Sequence, residues 1–123
     1  MKNDKANFKI EFKLRMYNWT LSLIRIIDSA SKDNSSQIMS RQVLRSGTSI
    51  GANYIEAQAS SSRRDFANFL HHSLKSANES KFWLALLRDS GKIKQRDAAL
   101  LLKELDELSK ILGASLITIK GRR

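Results

Sequence analysis

Four long stretches of this chain place apolar residues at intervals of three and four, the spacing of one face of an α-helix. The chain has no proline that would interrupt such helices. Short polar breaks separate the stretches and predict helices at about 8–30, 37–59, 62–90 and 95–119. Helices of similar length with short connections predict an all-α protein, an antiparallel up-and-down four-helix bundle. Residues 1–123 would form this bundle as a single domain.

The first predicted helix carries two apolar rows. The inner row consists of Phe12, Met16, Trp19, Leu23, Ile26, Ile27 and Ala30. A second row beside it consists of Ile10, Leu14, Tyr17, Leu21 and Ile24. Together the rows are wider than the core of one bundle requires. The extra width predicts a second buried contact on this helix.

The second predicted helix contains two glycines four residues apart, Gly47 and Gly51. Each glycine inside a helix costs about 1 kcal/mol relative to alanine. The segment around them, residues 47–51, is either part of one continuous helix or a break that would give five helices. Both glycines lie on one face, as a close approach of another helix requires, and this favours a continuous helix.

The third and fourth helices have the clearest apolar rows. Ser62 with Asp65 three residues later is a capping pair, and Gly91 is a natural helix-terminating glycine. The inner row of the third helix is Phe66, Leu70, Ser73, Ala77, Ser80, Leu84 and Leu87. The row of the fourth is Ala98, Leu101, Leu105, Leu108, Leu112, Leu116 and Ile119. The small central residues of the third helix predict a close approach of a neighbouring helix, at the level of the glycines in helix two.

Polar residues interrupt the core-like faces of helices two and three at Asn53, Glu56 and Glu79. A carboxylate metal site in a bundle would use Glu-x-x-His pairs. The residues three positions after the two glutamates are Ala59 and Phe82, so the ligand count is too low for a metal site.

The alternative for these polar residues is a hydrogen-bonded network between helices two and three. Asn53, Glu56 and Glu79 would be its polar members, and Arg45 or Arg41 would be the cationic partner. Such a network sets the register of two helices rather than performing a reaction.

The sequence gives no support for an enzyme or for a cofactor. Cysteine is absent, which excludes thiolate catalysis and cysteine-based zinc sites. His71 and His72 are adjacent, so on a helix they point about 100° apart and cannot act as one pair. No serine-nucleophile motif, P-loop or dinucleotide fingerprint is present.

The net charge of +10 is large for 123 residues and is spread along the chain. Such a surface attracts polyanions, and nucleic acid first among them. The candidate phosphate-binding residues are Arg63, Arg64, Lys75, Lys92, Lys94 and Arg96, with Lys81, Lys120, Arg122 and Arg123 as further bases. A charge that only maintains solubility is the alternative. Nothing in the pattern encodes base recognition, so binding would depend on shape and phosphates.

No apolar run is long enough to span a membrane. Charges occupy the N-terminus where a signal peptide would need its apolar core. We therefore expect a cytoplasmic protein with no membrane partner.

Three segments, QVLRSGTSIGANYIEA, SRRDFANFL and SANESKFWLALL, resemble the four-helix-bundle family of 23S rRNA intervening-sequence proteins. That family is related to the accessory variability protein of diversity-generating retroelements. The resemblance covers roughly residues 12–112. Its pattern falls on Arg45, Ser49, Ile50, Asn53, Glu56, Ser76 and Glu79, and its aromatic segment on Phe66, Phe69 and Leu70. Many members carry two adjacent arginines where this chain has Leu44 and Arg45.

The resemblance implies a homopentameric ring without an established catalytic activity. Members of the retroelement branch bind nucleic acid and a reverse transcriptase through a basic surface. Five copies of a +10 chain would carry about +50, a charge that needs a polyanion or counterions nearby. Two hypotheses remain: an oligomeric module that binds RNA or DNA non-specifically, and a structural or protein-interaction scaffold with no nucleic-acid role.

Overall fold

The structure, a computed structural model, describes residues 2–121. Its four helices are α1 (Lys2–Asp28), α2 (Asn34–Ala59), α3 (Arg63–Asp89) and α4 (Gln95–Gly121). Each helix packs against the next one along the chain, and α4 packs back against α1. No strand occurs between residues 2 and 121. The predicted all-α four-helix bundle is confirmed.

Two features of the helix bounds bear on the sequence-based predictions. The second helix runs without a break through Gly47 and Gly51, so the five-helix alternative does not occur. The first helix begins at Lys2 rather than near residue 8. Apolar spacing could not reveal this extra length because residues 2–7 are mostly polar.

Local chemistry at the ends of α3 follows the sequence closely. The Ser62 hydroxyl accepts a hydrogen bond from the backbone N–H of Asp65 at 3.1 Å, which satisfies one of the unpaired donors of the first turn. At the other end Gly91 has a φ of 75°. This left-handed conformation disfavours any residue with a Cβ, and it turns the chain towards α4.

The core consists of the predicted inner rows of α1, α3 and α4, together with Val43, Ile50, Tyr54 and Ala57 of α2. The buried residues of α3 are Leu70, Ser73, Ala77, Ser80, Leu84 and Leu87. Those of α4 include Ala98, Leu101, Leu105, Leu108, Leu112 and Leu116. Phe66 and Ile119 are half-buried at the ends of these rows. The predicted inner faces of α3 and α4 are therefore confirmed.

The most extensive contact between helices in the bundle is that of α2 with α3. Small polar side chains line their contact: the Ser46 and Ser80 hydroxyls lie 2.8 Å apart. The Ser73 hydroxyl donates to the Ile50 carbonyl at 2.7 Å. The predicted close approach against the small row of α3 is present, and on the α2 side Ser46 and the Ile50 carbonyl form it rather than the glycines.

The close approach to α3 lies at the predicted level of the glycines, between Ser46 and Ile50, but Gly47 itself faces α1. A Cβ added to Gly47 would overlap Leu23 Cδ2 and lie 3.4 Å from the Trp19 ring. Gly51 has no atom within 4 Å of the position of an added Cβ. The prediction that both glycines permit a close helix approach therefore holds for Gly47 and is wrong for Gly51 within the single chain.

Polar contacts attach α1 to α4. The Arg15 guanidinium donates to both carboxylate oxygens of Glu104, at 2.6 and 3.0 Å. The Trp19 indole N–H donates to the Leu101 carbonyl at 2.9 Å in a buried position. These bonds position α1 along α4, and they leave the opposite side of α1 facing solvent.

Candidate nucleic-acid interface

A polar cleft of about 650 Å³ lies on the outer surface where α2 and α3 meet. It is lined by Ser49, Asn53, Phe69, His72, Lys75, Ser76 and Glu79. Two residues of the predicted polar network, Asn53 and Glu79, lie in this cleft with Lys75, one of the candidate phosphate-binding residues. The antiparallel packing of α2 and α3 brings them together, although they are far apart in sequence.

Arg45 and Glu79 form an ion pair between α2 and α3. Glu79 also accepts a hydrogen bond from the Trp83 indole N–H at 2.9 Å. The Trp83 bond, and then the Arg45 guanidinium, hold the pKa of the Glu79 carboxyl below its usual value. The two charged side chains are 57% and 38% exposed. Because solvent screens a pair this exposed, it adds at most about 1 kcal/mol of stability.

Asn53 and Glu56 are not joined to that pair. The Asn53 amide donates to the Ser49 carbonyl one turn earlier in its own helix, at 2.8 Å, so its side-chain oxygen remains available. Glu56 is exposed, and no hydrogen bond or ion pair joins its side chain to another residue between 2 and 121. The geometry thus links two of the four network residues across the helices and leaves the other two on the surface of α2.

The candidate phosphate-binding residues occupy both ends of the bundle and its middle. Arg63 and Arg64 begin α3, whereas Lys92, Lys94 and Arg96 lie in the connection to α4 and its first turn. A 27-residue helix separates the two groups, a distance of about 40 Å. Lys75 lies between them in the polar cleft. Arg122 and Arg123 lie outside the described residues.

Pairing with acids differs among these bases. Lys92 donates to the Asp33 carboxylate at 2.7 Å and, with hydroxyls of Ser31 and Ser35, lowers the pKa of Asp33. Arg64, Lys94 and Arg96 are exposed, and no acid among residues 2–121 pairs with them. Lys92 is therefore partly neutralised, and these three arginine and lysine side chains are available to a polyanion.

An apolar groove of about 730 Å³ runs between the outer face of α1 and α2. Ile10, Leu14 and Tyr17 of α1 line it with Gly51 and Ile55 of α2. Ile10 is 64% exposed, Leu14 55% and Tyr17 63%. These residues belong to the second apolar row of α1, so the single chain leaves that row uncovered. Sequence reasoning found the row on α1 but not its partner on α2, because periodicity does not show which helices are neighbours.

Neither a metal centre nor a membrane span is evident in the part of the chain that the structure describes. No three His, Cys, Asp or Glu side chains of residues 2–121 converge as a metal site would require. Both histidines are exposed, their ring centres are 6.5 Å apart, and only His72 lines the cleft. No helix within this range is long and apolar enough to cross a bilayer.

Fold and surface together define a small basic four-helix bundle with a polar cleft on one side and an apolar groove on another. The chain matches the 23S rRNA-intervening sequence protein family over residues 9–114. It belongs to that family.

A crystal structure from the S23 ribosomal protein family, from Bacteroides thetaiotaomicron, has the same fold with a TM-score of 0.80. That protein is 33% identical, and the match covers 85% of this chain and 97% of that one. It is described as a protein with unknown function. No curated protein matches the chain.

Proposed function

We propose that this protein is a non-enzymatic oligomeric bundle that binds RNA or DNA through phosphates, without sequence preference. The observation that carries the proposal is the exposed and unneutralised positive charge. The net charge of the chain is +10. Four of the candidate basic side chains are exposed and pair with no acid of residues 2–121, namely Arg64, Lys75, Lys94 and Arg96. A distributed field of this kind attracts phosphate backbones and provides no pattern for selecting bases.

Self-association is the second part of the proposal, with a second copy of this chain covering the apolar groove. Exposed apolar residues also occur on a different surface, at Ile38, Phe82 and Leu86. The Arg45–Glu79 pair shows which residues of α2 and α3 lie level with each other. Because the helices are antiparallel, Ile38, two turns before Arg45, lies level with Leu86, which is two turns after Glu79. Two different apolar surfaces on one chain favour head-to-tail contacts, which close into a ring when the rotation permits. The pentamer implied by the family resemblance is such a ring.

Nucleic-acid binding is tested by measuring the affinity for an RNA hairpin and a DNA duplex across a salt series. We expect a log–log slope steeper than about −3, because each neutralised phosphate contributes about −0.9 for duplex DNA. Lys94→Gln and Arg64→Gln should each reduce the slope by about 1 per copy bound. Lys103→Gln removes an exposed lysine of α4 and is the matched control for net charge. Absence of binding to both probes at low salt would refute the proposal.

The competing function is a protein-interaction scaffold, and the apolar groove is the observation that favours it. Light scattering of the Leu14→Glu variant tests whether a second copy fills the groove. We expect a lower mass than for the wild type, whereas Leu100→Glu, which changes an exposed leucine outside the groove, should keep the mass. A monomeric wild-type protein that binds no nucleic acid would support a scaffold for another protein, of which a reverse transcriptase is the example that the resemblance provides.

A further inference from the structure

The polar cleft between α2 and α3 has features that non-specific phosphate attraction does not explain. A purely electrostatic surface needs cations alone, but this cleft combines Lys75 with an aromatic ring, an amide and a hydroxyl. We propose that the cleft binds one nucleotide unit, with its phosphate at Lys75 and Ser76 and its base against Phe69 and His72. The inference rests on the proposed function and names a site for it.

The available hydrogen-bonding groups fit the two parts of a nucleotide. No acid within residues 2–121 pairs with Lys75, and the Ser76 hydroxyl donates to no other side chain there. An ammonium group beside a hydroxyl donor suits a phosphate. Towards the N-terminus of α3, the His72 ring borders the cleft about one turn away and the Phe69 ring about two turns away. Aromatic rings accept bases of any sequence by stacking.

Asn53 lies on the opposite side of the cleft, on α2. Its amide nitrogen is held by the Ser49 carbonyl at 2.8 Å, which orients the side chain and leaves its oxygen as an acceptor. An oriented amide oxygen can accept from the exocyclic amine of adenine, cytosine or guanine. The spacing from Phe69 to Ser76 is seven residues, or about 10 Å along the helix, which accommodates a nucleoside monophosphate.

The carboxylate of Glu79 at the far end of the cleft does not prevent this arrangement. Arg45 and the Trp83 indole already engage it, and the guanidinium offsets its charge. The phosphate position at Lys75 and Ser76 lies one turn or less from Glu79, so this pairing with Arg45 weakens the repulsion that the carboxylate would otherwise exert there. A duplex would present stacked and inaccessible bases, so the cleft should favour single strands.

The experiment compares a single-stranded ten-nucleotide oligoadenylate with an RNA hairpin by fluorescence anisotropy. Phe69→Leu and Asn53→Ala leave the net charge unchanged, and we expect each to weaken strand binding by about tenfold while hairpin binding stays within about twofold. Lys75→Gln should weaken strand binding more than Lys103→Gln, which removes the same charge outside the cleft. Thermal melting identifies any variant that fails to fold. If Phe69→Leu fails to fold, the half-buried Asn53 and the exposed Lys75 still allow the comparison.

Free ligands distinguish a mononucleotide site from a strand site. Titrations followed by amide NMR would use adenosine 5′-monophosphate, adenosine and inorganic phosphate separately, and we expect shifts at Asn53, His72 and Ser76 only when base and phosphate are joined. Saturation by the mononucleotide at micromolar concentration would assign the cleft to free nucleotides, and saturation only by the strand would assign it to nucleic acid.

Equal strand affinity of the wild type and all cleft variants would overturn the cleft site while leaving the proposed function intact. Failure of the wild type to bind either strand or hairpin would overturn both.

Discussion

Gly47 provides the most direct test of how α1 packs on α2. A Cβ at this position would overlap Leu23 Cδ2, and the Trp19 ring lies only 3.4 Å from the same point. Leu23 is fully buried, so its side chain cannot turn into solvent, and the methyl group is accommodated only if this side chain repacks within the core or α1 shifts. Overpacking of this kind typically costs about 1–3 kcal/mol.

Gly51→Ala is the matched control for Gly47→Ala because it lies one turn further along the same helix. An added Cβ at Gly51 meets no atom within 4 Å. Both substitutions gain about 1 kcal/mol of helix propensity, so this contribution cancels when the variants are compared. We expect Gly47→Ala to be less stable than Gly51→Ala by about 1–3 kcal/mol, or about 4–12 °C in Tm for a domain of this size.

The free energies of unfolding are measured by urea titration followed by far-UV circular dichroism, with the mass of each variant checked by light scattering. Gly113→Ala provides a second control, since Gly113 also has open space around an added Cβ and lies on α4, away from the apolar groove. If Gly47→Ala equals or exceeds both controls in stability at the same mass, the close approach of α1 to α2 at Gly47 is refuted.

Three further predictions concern single side chains. Arg15 hydrogen bonds lower the pKa of Glu104, so this pair contributes stability above the unfolded pKa of about 4.3 and loses it as the pH falls through the lowered folded pKa. Glu104→Gln should therefore reduce Tm at pH 7, by no more than about 4 °C, and have no effect near pH 2. Trp19→Phe removes the buried bond to the Leu101 carbonyl and should lower the unfolding free energy by about 1–3 kcal/mol in urea titrations. Gly91→Ala places a Cβ at a φ of 75° and should cost about 1–2 kcal/mol by the same assay.

The sequence was sufficient for those parts of the fold that depend on one helix at a time. The inner row of α3, from Leu70 to Leu87, is buried as predicted, because helical period alone determines which side chains share a face. The Ser62 cap and the Gly91 terminator depend on neighbouring residues in the chain and were likewise predictable.

Contacts between helices could not be predicted in the same way. Periodicity gives the angle of each side chain about its own axis, but the rotation of one helix against another depends on all the side chains between them. Gly47 therefore faces Leu23 of α1 rather than the small row of α3. Arg45 and Glu79 do meet, but at the surface rather than in the core-like position that the spacing of Glu79 suggested.

The candidate site was predictable as a set of residues and not as a shape. Asn53 and Glu79 stand out in the sequence because polar residues are unexpected on apolar faces, and Lys75 is a candidate because of its charge. The cleft that contains all three exists only after α2 and α3 pack antiparallel. His72 carried no sequence signal beyond its place next to His71.

The division between the inside and the outside of the α2–α3 junction makes function separable from stability. Inside, Ser46, Ser80 and Ser73 hold the helices together through buried hydrogen bonds. Outside, the cleft residues Asn53 and Lys75 make no contact that the packing requires, because Asn53 bonds only within its own helix and Lys75 is exposed. Substituting Asn53 or Lys75 should thus leave the melting temperature nearly unchanged, whereas Ser80→Val should lower it. A cleft variant that loses strand binding at full stability would therefore show that these polar side chains serve a ligand rather than the fold.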